Sequence, residues 1–186
     1  MKILKVIFLS LIGLMALFLI VALFAPKSYK VERSVFINAP KEVIMAQCKS
    51  LKATHEWSPW AEYDPHQKIT YSGKDGEVGS SMHWEGNDSV GVGNQTIAKI
   101  TDDRVETKIE FIKPWTSTSD AYVQLEGKGE GQKVTWAFTG EDKYPMNGFM
   151  LFMNMDKMIG KDFERGLTKL KARCEIMSAT PQRVAL

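Results

Sequence analysis

The feature that most limits what this chain can become lies at its start. From Val6 to Ala25 the sequence VIFLSLIGLMALFLIVALFA runs twenty residues without a charged side chain. At ~1.5 Å rise per residue such a helix is about 30 Å long, the thickness of a bilayer's hydrocarbon core. A small domain has no means of enclosing a helix that is apolar on every face. The competing reading is a cleaved signal peptide, whose apolar stretch is usually only ~7–15 residues and ends in a small-x-small site. Here Ala22 and Ala25 have the wrong spacing for that site, and Pro26 follows at once. The segment is read as an uncleaved, single-pass membrane anchor. Lys2, Lys5 and the amino terminus favour a cytoplasmic start, which puts the rest of the chain on the outer (periplasmic or extracytoplasmic) side, with Lys27, Lys30 and Arg33 competing.

Beyond the anchor the chain is electrically balanced. Of 24 basic residues two, Lys2 and Lys5, precede the body, which leaves as many bases as the 22 acids. A neutral body supplies no general drive toward nucleic acid, which needs a basic stripe, so no nucleic-acid partner is expected. The 44% hydrophobic and 25% charged composition excludes a disordered or collagen-like chain. Cys48 and Cys174 allow at most one bridge, in an oxidising compartment, and are read preferentially as two buried free thiols. No C-x-x-C or H-E-x-x-H spacing occurs, and His55, His66 and His83 are scattered, so neither a metal nor a cofactor is expected.

The pattern divides the chain into an anchor and linker (1–29), a domain (30–176) and a tail (177–186) with no visible signal. A strand is predicted over Lys30–Asn38, so near the anchor that the domain must sit against the bilayer. Ala39-Pro40 opens a helix to about Leu51, with proline in the first turn, where its missing N–H costs little. A turn-rich piece with His55, Trp57, Pro59 and Trp60 follows. Strands are then predicted over Lys68–Ser72, Ser80–Glu85, Val92–Thr101, Val105–Ile112, Ser119–Leu125 and Lys133–Gly140, the last two flanking a hairpin turn at Gly127–Gly131. In two of them alternation is clean. Val105, Thr107, Ile109 and Phe111 face one way, as do Val134, Trp136 and Phe138. That marks an antiparallel sheet covered on one side. Its cover is a helix over about Asn147–Ile176, whose stripe is Phe149, Phe152, Met153, Ile159, Phe163, Leu167 and Leu170. The fold class is α+β: a curved antiparallel sheet wrapped around a long C-terminal helix, preceded by one transmembrane helix.

Ile37-x-Ala39-Pro40-x-x-Val43, Trp57-Ser58-Pro59-Trp60, Lys133-Val134-Thr135-Trp136 and Asp156-Lys157-Met158-Ile159-Gly160-Lys161-Asp162-Phe163 resemble the START-like (SRPBCC) superfamily. Over roughly residues 30–176 the chain looks like its bacterial polyketide cyclase/dehydrase-like branch. The resemblance implies a helix-grip fold with an apolar cavity between sheet and C-terminal helix, used to bind lipids, sterols or polyketides and in some members to catalyse cyclisation, dehydration or hydrolysis. It carries no catalytic residue over to this chain.

The candidate ligand-binding residues are therefore Trp57, Trp60, Trp84, Phe111, Trp136, Phe138, Phe149, Phe152, Met153 and Asp156. Singly each aromatic suits a plain core; as a group, with few polar residues among them, they suit an apolar pocket. Asp156 falls in the middle of the final helix's apolar stripe, where a carboxylate is costly unless paired, hydrated or protonated. It is expected either to fix a ligand's polar end or to satisfy local backbone donors, with Gly160 leaving room beside it. The stretch Met146–Met158 is apolar nearly all round, which fits packing against Trp57–Trp60 or a gate touching the bilayer. The function expected is membrane-tethered binding of a hydrophobic small molecule or lipid. The alternatives are a cyclase, dehydrase or hydrolase using the same cavity, and a co-chaperone-like module with a filled core.

Overall fold

The structure is a computed structural model that describes residues 2–127 and 131–179. The apolar run forms one uninterrupted helix, α1 (Lys2–Phe24), long and apolar enough to cross a membrane. Pro26 ends it, and strand β1 (Ser28–Ile37) begins only three residues after Ala25, closer than the sequence pattern suggests. Pro40 precedes α2 (Lys41–Lys49). The chain then breaks at Ser50, whose hydroxyl accepts from Ala53 N (3.1 Å) and so caps a separate helix, α3 (Leu51–Trp57). The segment predicted as turn-rich thus opens with two turns of helix, and α4 (Trp60–Tyr63) follows.

Six further strands come in unbroken succession: β2 (Lys68–Ser72), β3 (Ser81–Glu85), β4 (Val92–Ile100), β5 (Arg104–Lys113), β6 (Ser117–Glu126) and β7 (Gln132–Glu141). Among the described residues, seven strands form one antiparallel sheet in the order β1-β7-β6-β5-β4-β3-β2. Each consecutive pair is a hairpin neighbour, and only β1 crosses over, to pair with β7. Register shifts at Val92/Gly93 and Ile97/Lys99 in β4 increase the local bend, as bulges do. Two cross-strand pairs set a ring over a glycine: Tyr29 over Gly140 and Trp84 over Gly93, where an added Cβ would come within 2.3 and 2.4 Å of the rings. Of the predicted hairpin turn Gly127–Gly131, residues 128–130 lie outside the described residues. So do residues 180–186 of the predicted tail, whose Ser178 and Ala179 continue the last helix.

That helix, α5, spans Met155–Ala179 and crosses the concave face along β1. Phe163, Leu167, Leu170 and Cys174 are its buried stripe. It does not begin at Asn147. A 3-10 segment (Met146–Leu151) comes first, and Asn154 Oδ1 accepts from Lys157 N at 3.0 Å to start α5 anew. Phe149, Phe152 and Met153 therefore lie before the helix, out of phase with its stripe and exposed. Nor does this segment pack against Trp57–Trp60. It packs against the end of α1, with the Phe18 and Phe149 ring centroids 5.2 Å apart and the Asn147 amide donating to Ala22 O (2.8 Å) and Ala25 O (3.1 Å).

Candidate functional site: a cavity between the sheet and the short helices

Indoles build the wall first. Trp57 is fully buried, and its Nε1 donates to Gln47 O at 3.3 Å; Trp84 Nε1 donates to Val90 O at 3.1 Å. With their N–H groups turned to the backbone, both rings are free to present carbon. Trp136 of β7 stacks on Phe163 of α5 (4.1 Å, 26°) and meets Trp57 and Trp60 edge-on at 5.0 and 5.6 Å. Gly166 makes that stack possible, because a Cβ there would lie 2.7 Å from the Trp136 ring and 3.1 Å from Pro59. Each such pair contributes ~0.5–1.5 kcal/mol beyond its burial.

This cluster packs β7 of the sheet against α5. The open space lies on the other side of Trp136. A cavity of about 220 Å³ sits between the concave faces of β3–β7 and helices α2–α4, and among the described residues none of those lining it belongs to α5. Cys48, Leu51 and Trp57 cover it from above, Met82, Trp84, Ile109 and Phe111 wall it below, and Trp60, Ala61, Gln67 and Ser89 stand at its partly exposed rim. Val105, Thr107, Ile109 and Phe111, the alternating set of β5, all reach it. The space exceeds an engineered cavity of ~150 Å³ that binds benzene, and falls below the ~300–1,000 Å³ common for drug-sized ligands.

Polar groups stand on both sides of it. Gln95 Nε2 donates to Thr107 Oγ1 (3.3 Å) on the sheet side, and Thr54, His55 and Ser58 line the helix side. Burial lowers the His55 pKa below the ordinary imidazole value, with Glu56 opposing and Lys169 adding to the shift. The thiol of Cys48 is pushed far up by burial, and that of Cys174 up to about 11, so both cysteines are free, buried and protonated. Among the described residues no three His, Cys, Asp or Glu side chains converge to hold a metal ion.

Of the ten residues proposed from sequence, Trp57, Trp60, Trp84, Phe111 and Trp136 line the cavity. Phe138 is buried one layer away, 6.5 Å from Phe111 and 5.9 Å from Tyr29. Phe149, Phe152 and Met153 are elsewhere, beside α1. Asp156 is also elsewhere. The first turn of α5 overhangs the β1 edge of the sheet, and there Arg33 meets Asp156 through Nη1–Oδ1 (2.6 Å) and Nη2–Oδ2 (3.0 Å), and Glu164 through Nε (2.8 Å). The guanidinium fills the space above Gly160, where a Cβ would fall 2.2 Å from Nη2. The hydrogen bonds from Arg33 hold the exposed Asp156 carboxyl below its usual range. In this structure it is a member of a surface ion pair and does not line the cavity. Sequence reasoning passed over Gln95, Thr107, His55 and Gln67; the β5 alternation already pointed Thr107 inward.

A curved antiparallel sheet gripping a long C-terminal helix is the helix-grip arrangement of the START-like superfamily. Residues 28–175 match the family model described as polyketide cyclase / dehydrase and lipid transport, and the chain belongs to that family. Among solved structures it is similar to the di-domain ARO/CYC StfQ of the steffimycin biosynthetic pathway (TM-score 0.60, 11% identity, 83% of this chain and 53% of that one). It is likewise similar to ginseng major latex-like protein 151 from Panax ginseng (TM-score 0.54, 17% identity, 80% and 99% covered). A Thermus thermophilus protein aligns at TM-score 0.55 and 16% identity, over 81% of this chain and all of that one. At these identities the likeness concerns the fold. No curated protein matches.

Proposed function

We propose that this chain is a membrane-tethered binder of a hydrophobic small molecule, held in the cavity between the sheet and α2–α4. The observation that carries the reading is the cavity's composition: about 220 Å³, walled by Trp57, Trp84, Phe111 and Trp136, with the Gln95–Thr107 pair on the sheet side and Thr54 and His55 on the helix side as polar points. Burial of apolar ligand surface, at ~25 cal/mol per Å² before ordering costs, supplies the affinity. The polar points give direction. The size supports one acyl segment or a one- to two-ring skeleton, and not a sterol or a two-chain lipid. The family's association with lipid transport and polyketide chemistry agrees with such a ligand. Helix α1 serves in this reading as the membrane anchor, by its length and composition.

The test is titration of the detergent-solubilised full chain with a neutral bicyclic aromatic such as 2-naphthol, read by quenching of tryptophan emission. Saturable one-to-one quenching that is lost in Trp84→Ala and Phe111→Ala is expected. Quenching that is non-saturable and equal in the variants would refute the site.

A further inference from the structure

The residues around the end of α1 carry an inference about where the bilayer reaches. The long uncharged stretch is 6–25, of which 6–24 belong to α1, and a hydrocarbon core of ~30 Å needs all of it. The span has no slack to slide. Phe18 lies about 9 Å before Phe24 along the axis at 1.5 Å per residue, well inside that core. Yet Phe149 touches Phe18 at that level, and Gly148 is packed so closely that a Cβ would come 2.8 Å from the Phe18 ring and 3.0 Å from the Ala22 Cβ.

We propose that the 3-10 segment Met146–Leu151 and the following Phe152-Met153 are themselves immersed in one leaflet, forming a lipid-binding surface that fixes the domain's orientation on the membrane. The proposal rests on the reading of α1 as a membrane span. The outward side chains suit the occupant: Phe152 is 79% exposed, and Met146, Phe149, Leu151 and Met153 are each about half exposed, with no charge between Met146 and Met153. The backbone suits it too, because polar groups in hydrocarbon must be satisfied internally. Asn147 N donates to Lys143 O, Gly148 N to Pro145 O, and both Phe152 N and Met153 N to Phe149 O, at 2.9–3.2 Å. The buried Asn147 amide donates to Ala22 O in the last turn of α1 and to Ala25 O just past it. An immersion of ~5–10 Å is the usual depth of interfacial amphipathic segments.

The sheet presents the same end. Register runs from Tyr29 to Gly140 to Ser119, and from Phe111 to Ser117, so the β5–β6 turn lies at the end of the sheet where β1 leaves the anchor. Its tip carries Trp115, 75% exposed, a residue type enriched at membrane–water interfaces. Charge returns just outside the segment, at Lys143 on one side and at Asp156 and Lys157 on the other, as an interface position requires.

An environment-sensitive fluorophore on single introduced cysteines, in the full chain in nanodiscs of phosphatidylcholine and phosphatidylglycerol, tests this. Cys48 and Cys174 are buried and protonated, so labelling goes to the new thiol. Leu14→Cys reports the anchor, Phe152→Cys the segment, and Asp102→Cys the turn at the opposite end of the sheet. The expected result is blue-shifted emission at 14 and 152, quenched by acyl-chain nitroxide lipid and protected from iodide, with the reverse at 102. A lipid-quenched probe at 14 beside an iodide-quenched probe at 152 overturns the proposal and leaves the anchor standing. An iodide-quenched probe at 14 removes the anchor, and the proposal with it. A probe at 152 shielded from both quenchers overturns it in favour of a second copy of the chain covering the patch.

Discussion

Ala121→Ile turns the cavity into a prediction of sign. Ala121 sits on the concave face of β6, paired with Thr107 and Phe138, and lines the hollow. Isoleucine suits a strand and adds three carbons. If those carbons enter empty space, they gain ~0.8 kcal/mol each by burial, less ~0.5–1 kcal/mol of lost rotamer freedom. The net is about 1.5 kcal/mol of stabilisation, which for a chain of this size raises the thermal midpoint by about 3–6 °C. In a filled core the same substitution overpacks and costs ~1–3 kcal/mol. Thermal unfolding of the solubilised full chain, with the naphthol titration alongside, reads both consequences: a higher midpoint and weakened probe binding. A lower midpoint with unchanged binding would refute the reasoning, because no reachable void would exist beside residue 121.

Other substitutions probe other parts. Gly166→Ala removes a helix glycine yet drives a Cβ to 2.7 Å from Trp136, so it should destabilise by about 1–3 kcal/mol in denaturant titration despite the better helix propensity. Trp57→Ala should cost ~3–5 kcal/mol in the same assay, through a fully buried ring and the loss of the indole hydrogen bond to Gln47 O. Asn147→Ala removes the amide's hydrogen bonds to Ala22 O and Ala25 O, and faster amide exchange over residues 143–153, with that of β5–β7 unchanged, is the expected outcome. The His55 imidazole titrates near pH 6.5 when unfolded and lower when folded, so the unfolded chain binds the proton first as pH drops. Its contribution is present above pH 6.5 and is lost as the pH falls through the folded value; His55→Gln should flatten the stability profile on that acid side.

The element order was legible because each piece carries its own local signal: an unbroken apolar run for α1, proline before α2, period-two alternation in β5 and β7, and the Phe163-Leu167-Leu170 stripe in α5. Where a helix begins is a matter of one capping side chain, and Asn154 was hidden inside a run of phenylalanines and methionines that continues the apolar pattern across the break. Phe149, Phe152 and Met153 were placed on the helix for that reason. Asp156 had the right phase on the wheel, but a wheel has no ends. Only the fold brings Arg33, 123 residues earlier, to the overhanging first turn. The cavity's position was hidden likewise. That Trp136 and Phe163 stack and seal the α5 side depends on Gly166, whose meaning in sequence is only that something large lies close.

A hydrophobic molecule bound in the hollow under α2–α4 would stay with the chain through purification. Solvent extraction of the purified full chain, with quantitative mass spectrometry of what it releases, tests this most directly when Ala121→Ile is processed in parallel. A near-stoichiometric single-chain or one- to two-ring compound is expected from the unaltered chain, depleted in the variant. Identical extracts from both, containing only bulk membrane lipid, would contradict it.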